Sequence, residues 1–339
     1  MGLATLFESG KARLLTRVRG ISDPAVRFAR LERQHREILE QLTQLNQQLS
    51  DAARRESQLR AILARDAELE DQLPRLDQML ADERTGPHVI RAIERAPLNT
   101  HPFPYAVVDD VLPRDLYGAV IRSLPPVELF SDRPVNKQQL TVPFKLAPAY
   151  SRKAWRFITA VVVPQFMMPA VVEKFRGVLD EWIAANWPDV PPSSVSLETS
   201  DGRILLRRRG YRIPPHRDPK WAFITAILYL ARRDDSETWG TQLYSVEADE
   251  EAPGVSPHWI DPARCRFVTE VAFKPNRLLL FLNSVGAHGA QIPEDAEPEG
   301  LERYIYQFRV GPSTDSMAML KGTLSEARRS LWAGKAGDY

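Results

Sequence analysis

Cysteine is almost absent from this chain, since Cys265 is the only one among 339 residues. An intrachain disulfide and a cysteine-based zinc site are therefore excluded. Cys265 opens a strand-like run with no base nearby, so we interpret it as a small core or surface residue. With no disulfide to form, we expect the reducing environment of the cytoplasm.

Long apolar runs are also missing, and stretches such as Ala160–Val163 and Leu278–Leu282 fall far short of the roughly 20 residues of a membrane helix. We therefore expect no transmembrane segment. Residues 1–29 form a basic N-terminal segment that lacks the apolar core and the cleavage site of a signal peptide. A helix that is solvated or docks on a partner is our preferred interpretation of it, and a membrane-surface helix is the alternative.

Charge of either sign is not in excess, because 45 basic and 44 acidic residues leave a net charge of +1. No basic groove with interleaved aromatic residues is visible. We therefore expect no nucleic-acid partner.

Glycine is absent from residues 30–84, where Leu, Glu, Gln, Arg and Ala predominate, which is typical of a helix. Apolar residues recur at heptad spacing and predict a coiled-coil helix over residues 30–86. Pro74 should kink or restart it, and Thr85-Gly86-Pro87 should end it. Such an apolar seam needs a partner helix, and a homo-oligomer is the simplest hypothesis. The first column comprises Leu31, Ile38, Leu45, Ala52 and Leu59, and the second Leu42, Leu49 and Leu63.

Short strand-like runs follow a short helix at Val89–Arg95 and define a domain over residues 97–312. Helices first and closely spaced strands afterwards favour a β-sandwich or barrel with flanking helices, in the α+β class. Residues 313–339 form a helical tail. The predicted strands are Val195–Leu197, Ile204–Arg208, Ala222–Leu230, Gln242–Val246, Phe267–Phe273, Leu278–Asn283 and Tyr304–Val310.

His216-Arg217-Asp218 is the stretch that points most directly to chemistry. In an extended segment residues i and i+2 share a face, so His216 and Asp218 can converge on one ion while Arg217 points away. His288 follows a buried strand, and flanking glycines allow a tight turn that aims its imidazole inward. Two histidines and one carboxylate are the ligands that hold non-haem Fe(II) on one face and leave the other face open.

An ordered series of motifs resembles the 2-oxoglutarate/Fe(II)-dependent oxygenases, and within them the prolyl-4-hydroxylase-like branch. The resemblance covers roughly residues 98–312. Many relatives carry Gly-Gly-Glu-Leu where this chain has Gly240-Thr241-Gln242-Leu243. The motifs are Pro215-His216-Arg217-Asp218, Leu228-Tyr229-Leu230, Trp239 to Leu243, Pro275 to Phe281 before His288, and Arg303-Tyr304-Ile305-Tyr306.

The resemblance implies a double-stranded β-helix (jelly-roll) core in which His216, Asp218 and His288 hold Fe(II). It implies 2-oxoglutarate and O₂ as cosubstrates, ascorbate as a further candidate, and release of succinate and CO₂ during hydroxylation. It also implies a cation in the last core strand for the distal carboxylate of 2-oxoglutarate. We favour Arg303 for this role, with Arg309 as the competitor on the same face of the strand.

The function of the neighbouring residues is open at this level. Tyr211 and Tyr229 are candidates for contact with the cosubstrate, and packing in the core is the alternative. Asn283 can face the pocket or serve a turn at the end of a strand. A dense arginine cluster either favours an anionic substrate or solvates an outer sheet face. It comprises Arg203, Arg207, Arg208, Arg209, Arg212 and Arg217.

The substrate is not identified by the sequence, and a small molecule, a glycan or a peptidyl side chain fits the resemblance. Another class of function is a coiled-coil scaffold whose β-domain binds a ligand without turnover. The complete ligand set and Arg303 favour the enzyme. Nucleic-acid dealkylation shares the iron chemistry, but the balanced charge argues against it.

Overall fold

The computed structural model describes residues 24–131, 137–140, 144–219, 221–247, 260–283 and 285–324, together with 326 and 329. Most of the basic N-terminal segment and the end of the predicted C-terminal tail lie outside these ranges. The chain divides into two compact units, Met1–Arg60 and Ala61–Tyr339.

The described part of the first unit, residues 24–60, is a single helical segment. Helix α1 spans Pro24–Leu69 and therefore continues into the second unit. The predicted helix is confirmed, but a coiled-coil partner is not seen in a single chain. The side chains of Leu42 and Leu49 in the predicted seam remain 51% and 67% exposed. An apolar stripe of this kind is stable in water when a second helix covers it, so the coiled coil stays a prediction.

Helix α1 ends close to where the sequence predicts a break. A 3₁₀ turn, Glu70–Gln72, separates it from α2, Leu73–Leu80, and Pro74 lies in the first turn of α2, where a backbone donor is not needed. The prediction that Thr85-Gly86-Pro87 ends the helical region is wrong. These residues form the first turn of α3, Thr85–Arg95. Pro87 is tolerated there because the first turn of a helix does not need its backbone donors.

The stripe that ends α1 and continues into α2 packs inside the second unit. Leu69 and Leu76 are buried with Ala119, Tyr150 and Ala154. Ala119 belongs to α4, Arg114–Arg122, which begins after Pro113 as predicted, and the other two belong to α5, Ala149–Phe157. From Leu69 onward the apolar stripe is therefore buried by other residues of the second unit, so it needs no partner helix there.

A second long helical segment runs from Ala149 to Asn186. It consists of α5, a π-helical stretch Ile158–Met167 and α6, Met168–Asn186. A proline inside a helix usually kinks or breaks it, but neither Pro164 nor Pro169 ends this helical segment. The wider π-helical turns accommodate Pro164, and Pro169 lies in the first turn of α6.

By length and composition alone, Ala149–Asn186 is apolar enough to cross a membrane, and 39% of its most apolar window is buried inside the protein. Its residues Val162, Val171 and Phe175 belong to the largest core cluster. Packing in the core therefore accounts for the apolar character of the residues on this face of the segment. The expectation of no transmembrane segment stays a prediction.

Two antiparallel sheets form the β-domain. The larger sheet has the order β1-β2-β10-β7-β12-β5-β4-β3 and the smaller one β6-β11-β8-β9. The strands are β1 Leu98–Asn99, β2 Tyr105–Val108, β3 Phe130–Ser131, β4 Lys137–Leu140, β5 Leu197–Arg207, β6 Arg212–His216, β7 Ile224–Tyr229, β8 Thr241–Val246, β9 Cys265–Val271, β10 Leu278–Leu282, β11 Ala287–Gln291 and β12 Arg303–Pro312. One further described helix, α7, spans Thr314–Thr323 within the predicted tail.

Chain order in the sheets matches the expected jelly roll. From β5 to β12 the chain alternates between the sheets, except that β8 and β9 are neighbours in the smaller one. Leu205, Ile227 and Ile305 of the larger sheet pack with Leu243 and Val271 of the smaller one. The two sheets therefore face each other across a shared interior. The outer face of the larger sheet packs against the helices, with Leu206, Leu228 and Leu280 in that core.

Six strands, β5, β7, β8, β9, β10 and β12, overlap the predicted runs. Other strands were not predicted, among them the two that carry the histidines, β6 and β11. β6 and β11 carry Pro-Pro and Ala-His-Gly-Ala, which have low strand propensity. His288 accordingly lies in strand β11 and not in the predicted turn.

We expect the exposed seam of α1 to hold two copies of the chain together. Replacing Leu42 and Leu49 together with glutamate should weaken dimerisation at least about 100-fold, because each buried leucine contributes roughly 1.5–3 kcal/mol. Analytical ultracentrifugation of the full chain measures this, with exposed Gln47→Glu and Gln48→Glu as the charge-matched control. A wild-type chain that sediments as a monomer at high micromolar concentration would contradict the prediction.

Candidate metal centre

His216 is the last residue of β6, and the two preceding prolines stiffen its approach. Its imidazole is buried, with Nδ1 2.9 Å from the carbonyl oxygen of Pro214. When Nδ1 carries the proton and donates it to this carbonyl, Nε2 is left with a free lone pair. A backbone carbonyl of this kind is a common orienting partner for a metal-binding histidine.

Asp218 follows β6 and is buried between strands of both sheets. The Arg309 guanidinium on β12 donates to Asp218 Oδ1 at 3.0 Å, and the Thr225 hydroxyl on β7 donates to Oδ2. Burial opposes ionisation, but Arg309, the two histidines and the Thr225 hydroxyl hold the pKa of Asp218 well below its ordinary value. The carboxylate is therefore an anion that the fold fixes at both oxygens.

His288 reaches the same place from β11, which pairs with β6 so that His288 lies opposite His216. The two ring centroids are 4.1 Å apart. Nε2 of His288 lies 3.8 Å from Asp218 Oδ2, and the Phe281 ring packs beside the imidazole at 4.6 Å. The register of the smaller sheet thus brings together two residues that are far apart in the sequence.

The three predicted ligands converge. One ligand atom from each of His216, Asp218 and His288 lies within 4.8 Å of the others, and all three residues are buried. Two imidazoles and one carboxylate on one side of a space form the arrangement that binds non-haem Fe(II) with open coordination positions.

The turn before His288 has a specific backbone requirement. Gly286 has a φ of +71°, and a Cβ there would lie 2.3 Å from the ring of Phe103 and 2.9 Å from the carbonyl oxygen of Tyr244. Arg217, which the sequence predicts to point away from the ion, donates its Nε to the Gly286 carbonyl at 2.7 Å. It therefore joins the His216–Asp218 segment to the turn that precedes β11 and His288.

Asn283 brackets the backbone around Asp218. Its Oδ1 accepts from the Asp218 amide at 3.0 Å, and its Nδ2 lies 2.8 Å from the Asp218 carbonyl and 3.1 Å from that of Ala222. The sequence left open whether Asn283 faces the pocket or serves a turn at the end of its strand. The contacts favour the structural role, because Asn283 holds the backbone of the loop that carries Asp218.

Arg303 is the largest fully buried side chain and lies on the face of β12 that Arg309 also shares. Its guanidinium carbon is 4.6 Å from the centroid of Phe273 and 5.7 Å from that of Trp239. Its three nitrogens make no hydrogen bond to any residue that the structure describes, and Asp235 is 3.8 Å away. Arg303 thus presents a buried cation whose hydrogen-bonding capacity is unused.

The two candidate tyrosines differ in their surroundings. Tyr229 donates its hydroxyl to Thr241 Oγ1 at 2.8 Å, and burial raises its pKa to about 12, so it stays a protonated donor. Burial also raises the pKa of Tyr211. The Arg207 guanidinium carbon lies 5.0 Å from the centroid of the Tyr211 ring. Contact of either tyrosine with a cosubstrate stays a prediction.

Sequence reasoning missed the contact between Arg309 and Asp218. It treated Arg309 only as an alternative anchor for a cosubstrate, although the residue shares the inner face of β12. The alternation of β12 could have placed Arg309 in the interior, but only the pairing of β12 with β7 puts it opposite Thr225, the other partner of Asp218.

We expect one divalent ion to bind per chain at this site. Replacing His288 with alanine should weaken Co(II) affinity at least about 100-fold, because it removes a ligand outright. Calorimetry on the anaerobic chain measures the affinity, with exposed His35→Ala as the control. Equal affinities of wild type and His288→Ala would show that the ion binds elsewhere.

The hydrogen bonds of Asn283 to the backbone of Asp218 predict a second effect on metal affinity. Asn283→Ala should weaken Co(II) binding by about 10–100-fold although Asn283 offers no ligand, since partners that orient ligands contribute at this level. Exposed Asn46→Ala on α1 should have no effect. An unchanged affinity in folded Asn283→Ala would mean that the loop holds Asp218 in place without this side chain.

No known protein-family model matches the chain, and no curated protein matches it in sequence. Among solved structures, it is similar to a Trichoplax adhaerens prolyl hydroxylase in complex with a hypoxia inducible factor peptide fragment. The identity is 12%, the TM-score 0.39, and the match covers 73% of this chain and 95% of that one. A Pseudomonas putida prolyl-4-hydroxylase has 16% identity and a TM-score of 0.37, with 66% and 99% covered. HygX from Streptomyces hygroscopicus, solved with nickel, 2-oxoglutarate and hygromycin B, has 13% identity and a TM-score of 0.39, with 62% and 83% covered.

Proposed function

We propose that the chain is an Fe(II)- and 2-oxoglutarate-dependent dioxygenase that hydroxylates its substrate with release of succinate and CO₂. The observation that carries the proposal is the convergence of His216, Asp218 and His288 within 4.8 Å in a buried site. The three residues come from β6, the segment after it, and β11, so the chain folds specifically to bring them together.

The donor set fits Fe(II). Two neutral imidazoles and one carboxylate leave coordination positions for a chelating cosubstrate and for O₂. A structural zinc site would instead be closed by a fourth protein ligand, and no such residue joins the cluster among the described residues.

The surroundings also fit 2-oxoglutarate. The buried guanidinium of Arg303 has no hydrogen-bond acceptor among the described residues, which is costly unless an anion completes it. An arginine fork binds a carboxylate with two parallel hydrogen bonds. Arg309 is already bound to Asp218, so Arg303 is the better candidate to hold the distal carboxylate of the cosubstrate.

When bound, Fe(II) and 2-oxoglutarate supply the activation of O₂ that oxidises a C–H bond. The protein supplies the positions of the partners. His216, Asp218 and His288 would hold the metal ion, with their orientation fixed by Pro214, Arg309 and the β6–β11 register. The ring of Phe281 packs beside His288, and the ring of Phe273 packs beside Arg303. These apolar rings would help to exclude water from the interior between the sheets.

We further propose that the enzyme is cytoplasmic, forms a homo-oligomer through α1 and acts on a substrate other than nucleic acid. The balanced charge supports the last point, and the exposed apolar seam of α1 supports the homo-oligomer.

The proposal is tested by incubating the Fe(II)-loaded chain with 2-oxoglutarate, O₂ and pools of candidate substrates while succinate is measured. We expect slow succinate formation that one pool accelerates. A folded chain that binds Fe(II) but neither binds nor consumes 2-oxoglutarate would contradict the proposal.

Arg303→Gln should weaken 2-oxoglutarate binding by about 10–100-fold, because a hydrogen bond to a charged group contributes roughly 1.5–3 kcal/mol. Calorimetry on the Zn(II)-loaded chain measures binding without turnover. Exposed Arg233→Gln removes the same charge and should bind normally. If Arg303→Gln bound as tightly as wild type, the cosubstrate would need another anchor.

A further inference from the structure

We propose that Arg207 binds an anionic group, a carboxylate or a phosphate, of the substrate that is oxidised. This inference rests on the proposed function, because it assumes that Arg303 serves 2-oxoglutarate. It names the chemical class of the substrate, which the ligand set alone leaves open.

Arg207 enters the interior beside Arg303. It is the last residue of β5 and the direct partner of Arg303 on β12. Opposed residues of an antiparallel pair point to the same face, and the next such pair, Leu205 and Ile305, lies in the core between the sheets. The two guanidinium groups therefore occupy the same side of the sheet.

No acid compensates Arg207 among the residues that the structure describes. Arg207 is 7% exposed, and its Nε is buried without a hydrogen-bond partner. Its one ring contact is with Tyr211, whose centroid is 5.0 Å from the guanidinium carbon. Arg207 and Arg303 are like charges placed opposite each other across two strands, which destabilises the sheet, so this arrangement favours a bound anion.

One arginine is sufficient for the distal carboxylate of 2-oxoglutarate. Arg303 has its own surroundings, with Phe273, Trp239 and Asp235 around the guanidinium. Arg207 lies instead against Tyr211. Two neighbouring guanidinium groups in different surroundings match two different anions better than they match one carboxylate.

Tyr211 connects the position of Arg207 to the strand that carries His288. Its ring centroid lies 5.0 Å from the Arg207 guanidinium carbon, and its side chain packs with Ala290 of β11. An anion held by Arg207 would place the rest of the substrate near the metal ligands, where oxidation would occur.

Three other members of the arginine cluster are in different surroundings. Arg208 lies 3.6 Å from Glu302, Arg217 donates to Gly286, and Arg212 is exposed. The inference concerns Arg207 because its side chain is buried and lies on the inner face opposite Arg303.

The test uses the full chain loaded with Zn(II) and saturated with 2-oxoglutarate, so that Arg303 is occupied and no turnover takes place. Inorganic phosphate and acetate are titrated separately by calorimetry at constant ionic strength. We expect wild type to bind at least one of them, and Arg207→Gln to bind it at least about tenfold more weakly. The affinity for 2-oxoglutarate should change less than about threefold, and Arg233→Gln should match wild type in both measurements.

Each other outcome overturns the inference. Equal anion affinity in wild type and Arg207→Gln, or no anion binding by a wild type that binds 2-oxoglutarate, removes the substrate site but leaves the proposed function intact. Loss of 2-oxoglutarate binding in Arg207→Gln as large as in Arg303→Gln would assign Arg207 to the cosubstrate. Failure of wild type to bind 2-oxoglutarate removes both proposals.

A second variant guards against misfolding. If Arg207→Gln does not fold, Arg207→Met carries the test, because it keeps a long unbranched side chain and removes the cation. Weaker anion binding with normal 2-oxoglutarate binding then supports the inference, and unchanged anion binding overturns it.

Discussion

The buried carboxylate of Asp218 is the interaction on which the rest of the site depends. It lies between the Arg309 cation of one sheet and the two imidazoles of the other. Removing one partner from a buried ion pair typically costs about 3–5 kcal/mol, because the other charge is left in an apolar environment. The fold is therefore most stable when this anion keeps its partners, and the same partners aim it at the space between His216 and His288.

The two sheets contribute different residues to the site. The smaller sheet supplies both histidines from neighbouring strands, and their spacing follows directly from the β6–β11 register. The larger sheet supplies the cations on its inner face, from Arg207 through Arg303 to Arg309. The segment with Asp218 joins the sheets, and Asn283 and Arg217 secure it through backbone groups. Ligands that must converge are thus placed by rigid strands, and the connecting loops are fixed by hydrogen bonds.

The metal ligands could be predicted from the sequence because their pattern is local and ordered. A histidine and an aspartate two residues apart share a face in any extended segment, and four strands between Asp218 and His288 return the chain to the same place. The order of helices and strands followed from composition in the same way. The seam of α1 could also be recognised, although what covers it is not a property of one chain.

The rest depends on pairings that local patterns do not contain. β6 and β11 have little strand propensity, and they are strands because they pair with each other and because β11 also pairs with β8. The contact of Arg309 with Asp218 and the bracket formed by Asn283 depend on long-range register. The π-helical turns around Pro164 occur where the helix packs on the core, against the local expectation of a break.

The most direct measurement is anomalous diffraction from crystals of the full chain grown with Co(II). The account predicts one strong peak per chain, with Nε2 of His216, Nε2 of His288 and one Asp218 oxygen at about 2.0–2.2 Å and the remaining positions open to solvent or added 2-oxoglutarate. A peak elsewhere, or an ion enclosed by further protein ligands with no open position, would contradict it.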